Sequence, residues 1–210
     1  MTLVDEHGDA IDLHTERAGR PAVVVFHRSA QWCAFCRRQL AQFQAAQPAY
    51  AAAGIAVFAV SPDPVPRLSE FAAEASITFP LLADEGSRLI RRLGILNDLI
   101  EPHEPRYGIP FPGVYVLAAD GTVVGKYFYQ HYRERPHPLR ILREVFGRSA
   151  DEAGCIVATG HLGAVALRVT MLGRALTPSE HTLLLLRTDP PRAVRRHVDP
   201  DARIEFGASV

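Results

Sequence analysis

Apolar residues in this chain fall into two patterns. The first is the short unbroken run, as in "PAVVVF" (Pro21 to Phe26) and "GIAVFAV" (Gly54 to Val60). Runs of this length and β-branched content suit central strands buried on both faces. The second is helical. From Ala34 to Ala52 the residues Phe35, Leu40, Phe43 and Tyr50 fall roughly on one face, with alanines between them. Pro48 is expected to bend or shorten the last turn of that helix. "SPDP" stops the second run and leads into a helix over Val65 to Ala75. "FPLLAD" (Phe79 to Asp84) is a short apolar segment before a helix over about Glu85 to Leu93. After a proline-rich loop, "GVYVL" (Gly113 to Leu117), the "AADG" turn and "TVVGKYFY" predict a hairpin. Arg140 to Phe146 predicts a closing helix. At the start of the chain, "TLVDEHGDAIDL" predicts two short strands around His7-Gly8-Asp9.

This succession predicts an α/β layered sheet. The first two core strands are joined by a helix, so they should be parallel with a right-handed crossover. The last two should be antiparallel. The texture changes around Gly147 to Cys155. Beyond it "AVALRVTML" alternates, with Val165, Leu167, Val169 and Met171 on one face. The expected division is a main domain over residues 1–147 and a small β-rich extension over 155–210. So small a unit should pack on the main domain or on a second chain, as in a homodimer.

Composition narrows the function. The chain has 210 residues, 48% hydrophobic and 22% charged, with a formal charge of +0. This balance does not call for a polyanion, so no nucleic-acid partner is expected. The N-terminus is acidic from the outset and lacks the apolar core of a signal peptide. The longest plain apolar run, Leu183 to Leu186, is far short of the roughly 18 residues of a membrane span. A cytoplasmic location and no membrane partner are the expectations. Three cysteines are too few for a disulfide scaffold.

Two of those cysteines, Cys33 and Cys36 in "SAQWCAFCRRQL", stand three apart, just after a buried strand and at the start of a helix. In open α/β sheets, sites gather at this end of the strands. A thiolate at Cys33 would meet free backbone N–H groups and the positive end of the helix dipole, which lower a thiol's pKa. Cys36, one turn along, could attack a mixed disulfide or a sulfenic acid on Cys33 and close a small ring. Arg37 and Arg38 add charge, and Trp32 is expected to shield the site. Zinc would need a second Cys-x-x-Cys or a spaced His pair, and neither is present. No metal and no organic cofactor are expected.

"VVVFHRSAQWCAFCRRQL" resembles the active-site segment of thioredoxin-like proteins. "AGIAVFAVSPDPVPRLSEFAAEASITFPLLADEGSRLIRRLGI" and "GIPFPGVYVLAADGTVVGKYF" are similar to one branch, the alkyl hydroperoxide reductase/thiol-specific antioxidant (peroxiredoxin) family. The resemblance covers roughly residues 1–147. It implies a thioredoxin-like fold, a mixed central sheet with flanking helices, here followed by a small C-terminal β extension. It implies Cys33 as the attacking sulfur, Cys36 as the resolving one, and a cis Phe111–Pro112 bond beside them. It also implies a peroxide substrate and a thioredoxin-like reductant.

The chain departs from the family's pattern in three places. A proline usually stands seven residues before the attacking cysteine, and a Thr or Ser three before it. Here those positions hold Phe26 and Ala30, and Ser29 is one residue off. The family's arginine near the closing hairpin has no counterpart in "FPGVYVL", and Arg28 is the alternative source of charge. These departures leave three readings. They are a Cys-x-x-Cys peroxidase, a protein disulfide reductase with little peroxidase activity, and a redox-sensing module whose β tail binds a partner. The loop "NDLIEPHEPRYGIP" is a candidate source of a proton donor.

Overall fold

The structure is a computed structural model that describes residues 2–147 and the backbone of residues 158–161 and 164–169. The elements are β1 (Thr2–Val4), β2 (Ala10–Asp12), α1 (Leu13–Glu16), β3 (Ala22–Phe26), α2 (Ala34–Ala52), β4 (Ala56–Ser61) and α3 (Val65–Ala75). They continue with β5 (Leu81–Ala83), α4 (Arg88–Arg92), β6 (Gly113–Leu117), β7 (Val123–Phe128), α5 (Pro138–Phe146), β8 (Ala158–His161) and β9 (Ala164–Val169). A 7-stranded mixed sheet runs β2-β1-β5-β4-β3-β6-β7. β3, β4 and β5 are parallel, while β6 and β7 add antiparallel on the far side of β3.

The unbroken apolar runs have a simple cause. Side chains alternate across a strand, so a strand covered on both faces must be apolar throughout. Val23 and Val25 point into one core with Leu40, Phe43, Tyr50, Phe71 and Ile141. Val24 and Phe26 point into the other with Leu13, Leu89, Ile90 and Tyr115. β4 splits in the same way, with Val57 and Ala59 on one face and Phe58 and Val60 on the other.

Most predicted elements stand where the pattern puts them, and the differences have local reasons. α2 continues through Pro48 to Ala52. α4 starts later than expected because residues 84–87 form a turn. The Ser87 N–H donates to the Asp84 carbonyl at 2.7 Å, and the Asp84 carboxylate receives the Leu89 and Ile90 N–H groups. α5 begins earlier because Pro138 suits a first helical position and His137 Nδ1 accepts the Leu139 N–H at 3.3 Å. The one-turn α1, which no periodicity announces, is capped by the Asp12 carboxylate. Gly113 opens β6 because the Phe128 ring occupies the space that a Cβ would need. In the extension, β8 and β9 pair antiparallel, and β9 covers much of the alternating stretch. The other strand candidates of 155–210, and Cys155, lie outside the described residues.

The cis Phe111–Pro112 bond is not found: no peptide bond among the described residues is cis. The reason is the path of the chain. The Phe111 N–H donates to the Ile95 carbonyl at 2.7 Å, and Pro110 bridges to Leu96. The segment is therefore already extended as it enters β6.

Tyr50 joins two helices: its hydroxyl donates to the buried Pro138 carbonyl at 2.8 Å. Tyr50→Phe removes this hydrogen bond between α2 and α5. Denaturant unfolding should show a loss of about 1 kcal/mol.

Candidate active site

β3 ends at Phe26 and hands the chain to a seven-residue connection, His27 to Cys33, before α2. This loop is pinned at several points. The His27 N–H donates to the Val60 carbonyl at 3.0 Å. The Ala30 N–H donates to Asp63 Oδ2 at 2.6 Å, and the Ser61 hydroxyl donates to the same oxygen at 3.1 Å. Ser29 Oγ accepts the N–H groups of Gln31 at 3.0 Å and Trp32 at 3.4 Å. Arg37 donates to the Ala30 carbonyl at 3.1 Å and pairs with Glu74. Arg37, on α2, therefore ties the loop to Glu74 of α3 and makes no hydrogen bond to the sulfurs, and Arg38 is exposed.

The loop delivers two buried free thiols, with the sulfurs of Cys33 and Cys36 2.7 Å apart. Cys36 is fully enclosed, and Cys33 is 4% exposed. Their surroundings differ. The Arg28 N–H reaches Cys36 Sγ at 3.4 Å, and Arg135 Nη2 reaches it at 3.8 Å. The hydrogen bond from the Cys33 thiol pulls the Cys36 pKa down to about 5, against the opposing effect of burial, with further help from Arg135. Cys33, as the donor in that bond and itself buried, is held above the usual thiol range.

The resting anion is therefore on Cys36, whereas the helix-terminus argument placed it on Cys33. The reason is geometric. Cys33 is the N-cap of α2, but its side chain makes no capping hydrogen bond. The free N–H groups of the helix are not aimed at its sulfur, while donors from two loops converge on the other one.

The rim is built of arginines on aromatic rings. The Arg28 guanidinium lies 5.0 Å from the Trp32 ring centroid and 4.7 Å from that of Tyr132. Arg106, from the proline-rich loop, covers Trp32 at 4.5 Å. Phe35 meets Tyr132 edge to face. Trp32 is 39% exposed, so it is not buried over the thiols as a shield would be. Pro112 is buried, one residue beyond the Gly113–Phe26 pair, and so lies at the sheet end where His27 leaves β3. In the proline-rich loop, Glu104 receives the Glu101 N–H.

Three residues here were not picked out as site residues from sequence: His27, Asp63 and Arg135. Arg135 lies 99 positions from Cys36, in a connector that reads only as polar, and no local signal could have found it. Its Nη1 donates to the carbonyls of Tyr132 and, at 2.7 Å, Glu134. These bonds fold the connector and aim the charge inward. Among the described residues no three His, Cys, Asp or Glu side chains are grouped to hold a metal ion.

Comparison with known proteins bears on the fold and the family. A peroxiredoxin Q of Gentiana triflora chloroplasts is 32% identical over 123 residues, covering 59% of this chain and 53% of that protein. A putative peroxiredoxin of Mycobacterium tuberculosis is 29% identical over 128 residues, covering 59% and 77%. The chain thus spans about half the length of the Gentiana triflora and Oryza sativa relatives it matches. Among solved structures, peroxidoxin BcpB from Mycobacterium tuberculosis superposes with a TM-score of 0.55 at 20% identity, over 61% of this chain and 80% of that one. A peroxiredoxin 6 mutant of Arenicola marina gives 0.60 at 15% identity, over 88% and 84%. These likenesses establish the shared fold. The family description "AhpC/TSA family" matches residues 1–126, most of the main domain, and the chain belongs to that family.

Proposed function

We propose that this protein reduces peroxides with the Cys33–Cys36 dithiol, and that a thioredoxin-like dithiol re-reduces it. The observation that carries this reading is the pair of free sulfurs at 2.7 Å, with two guanidinium-bearing residues, Arg28 and Arg135, beside them. The relatives named as peroxiredoxins support it. A reducing compartment such as the cytoplasm suits a free dithiol.

Cys33 is the sulfur closer to the mouth, so it meets the peroxide first. The Cys33 proton crosses the short contact to Cys36, leaving a thiolate on Cys33. That thiolate attacks the O–O bond. A sulfenic acid forms on Cys33, and the alkoxide or hydroxide leaves and takes a proton from solvent. Arg28 stabilises negative charge on Cys33, and Arg135 adds positive charge from the opposite loop. Cys36 then displaces the hydroxyl, and the disulfide closes. An external dithiol returns both electrons and both protons.

A second reading, disulfide reduction, draws on Ser29 and Ala30. Ser29 Oγ accepts two backbone N–H groups, and Ala30 is packed into the core. Neither offers the open hydroxyl that a peroxide-binding loop would hold.

Stopped-flow mixing of the reduced protein with hydrogen peroxide or an organic hydroperoxide, and separately with a protein disulfide, decides between the readings. Fast oxidation by peroxide, lost in Cys33→Ser, is expected. In Cys36→Ser a sulfenic acid should accumulate, trappable with dimedone. Oxidation by peroxide no faster than that of a free thiol would overturn the peroxidase reading. Arg135→Met should slow the peroxide step by about 10²-fold, the usual cost of one lost charge-stabilising donor.

The pH dependence has a definite sign. Cys36 is anionic above about pH 5 and becomes protonated as pH falls through that value. Thiolate absorbance at 240 nm should therefore appear with a midpoint at about 5. Cys36→Ser should abolish that transition, and Arg135→Met should move it upward.

A further inference from the structure

The dithiol is surrounded by more positive charge than its sulfurs use. The resting pair carries one negative charge, on Cys36, and Arg135 already faces it. Three further guanidinium groups stand on the aromatic rings of the mouth. Arg28 lies over Trp32 and Tyr132, and Arg106 lies over Trp32. Arg133 lies 5.8 Å from the Phe35 centroid and 5.5 Å from that of Tyr132. Among the described residues none of these three arginines forms a salt bridge. The carboxylates of the same loops are occupied elsewhere or left out of ion pairs. Glu104 Oε1 accepts the Glu101 N–H at 2.8 Å, and neither Glu101 nor Glu134 forms a salt bridge.

Two of the charges share one ring. Arg28 and Arg106 both lie within 5.0 Å of the Trp32 centroid. They come from different loops, and each loop is braced. Arg28 is held through its backbone N–H on Cys36 Sγ. Beside Arg106, the Tyr107 hydroxyl accepts from Arg91 Nη1 at 3.2 Å, and the Ser87 hydroxyl donates to the Gly108 carbonyl at 2.6 Å. Arg106 is therefore presented from an anchored backbone. Like charges held this close repel, and salt screens them only in part. An anion between them relieves that repulsion. A guanidinium over a ring face also keeps its N–H edge for a carboxylate.

The position of the pair indicates which molecule reads it. Trp32 precedes Cys33 in the chain, and the Arg28 charge acts on the Cys33 sulfur. A molecule with an anionic group at Trp32 has its remaining atoms beside the sulfur that meets the peroxide.

We propose that Arg28 and Arg106, over Trp32, form an anion subsite that favours organic hydroperoxides carrying a carboxylate over neutral ones. The substrate half of this inference rests on the peroxide chemistry proposed above, and the anion site itself does not. Arg28 also serves Cys33, so Arg106 is the charge that the substrate alone reads. It is exposed and takes no part in the hydrogen bonds of the sulfurs.

The test compares a carboxylate-bearing arylalkyl hydroperoxide with its methyl ester, the same peroxide group on the same skeleton. In stopped-flow oxidation at low ionic strength, the wild type should react about tenfold faster with the acid than with the ester. Added salt should erode that preference. Arg106→Gln should remove it and leave the rates with the ester and with hydrogen peroxide unchanged, and Arg106→Glu should invert it. Equal rates for acid and ester in the wild type, or a preference that survives in both variants, would overturn the inference.

If the wild type reacts slowly with every hydroperoxide, hydrogen peroxide included, the peroxide reading fails and the subsite is judged by binding alone. Trp32 is the single tryptophan of the chain, so its fluorescence reports on the subsite. The reduced wild-type protein is titrated with the alcohol that reduction of the acid hydroperoxide leaves, and with the methyl ester of that alcohol. The acid should bind about tenfold more tightly than the ester, and Arg106→Gln should make the two equal. No saturable response to the acid, equal affinities in the wild type, or an advantage of the acid that survives Arg106→Gln would each overturn the inference.

Discussion

The Ala30 N–H bonded to the Asp63 carboxylate at 2.6 Å holds the active-site loop to the sheet. Both ends of this bond lie just beyond parallel strands, β3 and β4, which finish at the same edge. The parallel register, with Phe26 beside Val60, brings the two exits together. A buried carboxylate accepting two hydrogen bonds is a strong anchor, because charge-assisted bonds outweigh neutral ones. With Ala30 held there, and Gln31 and Trp32 held by Ser29, the chain descends into α2. That path sets both sulfurs in contact.

The same anchor changes the electrostatics expected at a helix start. Cys33 caps α2 by position but does not use the helix N–H groups. Donors come from outside the helix, from Arg28 N–H and Arg135, and both meet Cys36. The pair therefore divides its labour. The sulfur nearer the mouth holds the proton, and the enclosed one holds the charge. A short S–S contact lets the proton change sides, so the accessible sulfur can still become the nucleophile.

Around the mouth, arginine and aromatic side chains take the place of a hydrophobic rim. Arg28 and Arg106 lie over Trp32, and Arg28 also lies over Tyr132. Stacking on ring faces fixes the guanidinium groups, and among the described residues neither forms a salt bridge with a carboxylate. These arginines and rings come from three separate stretches of chain, which meet only in the fold.

The strands and long helices could be read from local pattern, because burial on two faces demands an unbroken apolar run and burial on one demands a helical stripe. That is why Ala34–Ala52 and Val65–Ala75 appear with the expected bounds. The Cys-x-x-Cys at a strand-to-helix exit was legible for the same reason: position along one strand and one helix is a local property. The trans Phe111–Pro112 bond was not, since it follows from pairing with Ile95 and Leu96. The placement of charge was not legible either. A thiol's ionisation depends on what lies within a few ångströms in a medium of low dielectric, and most of those groups arrive from far along the chain. Sequence by itself determined the sheet, the dithiol and its location. Only the tertiary structure decided that Arg135, 99 positions away, would reach the pair and that the donors would converge on Cys36 and not on Cys33.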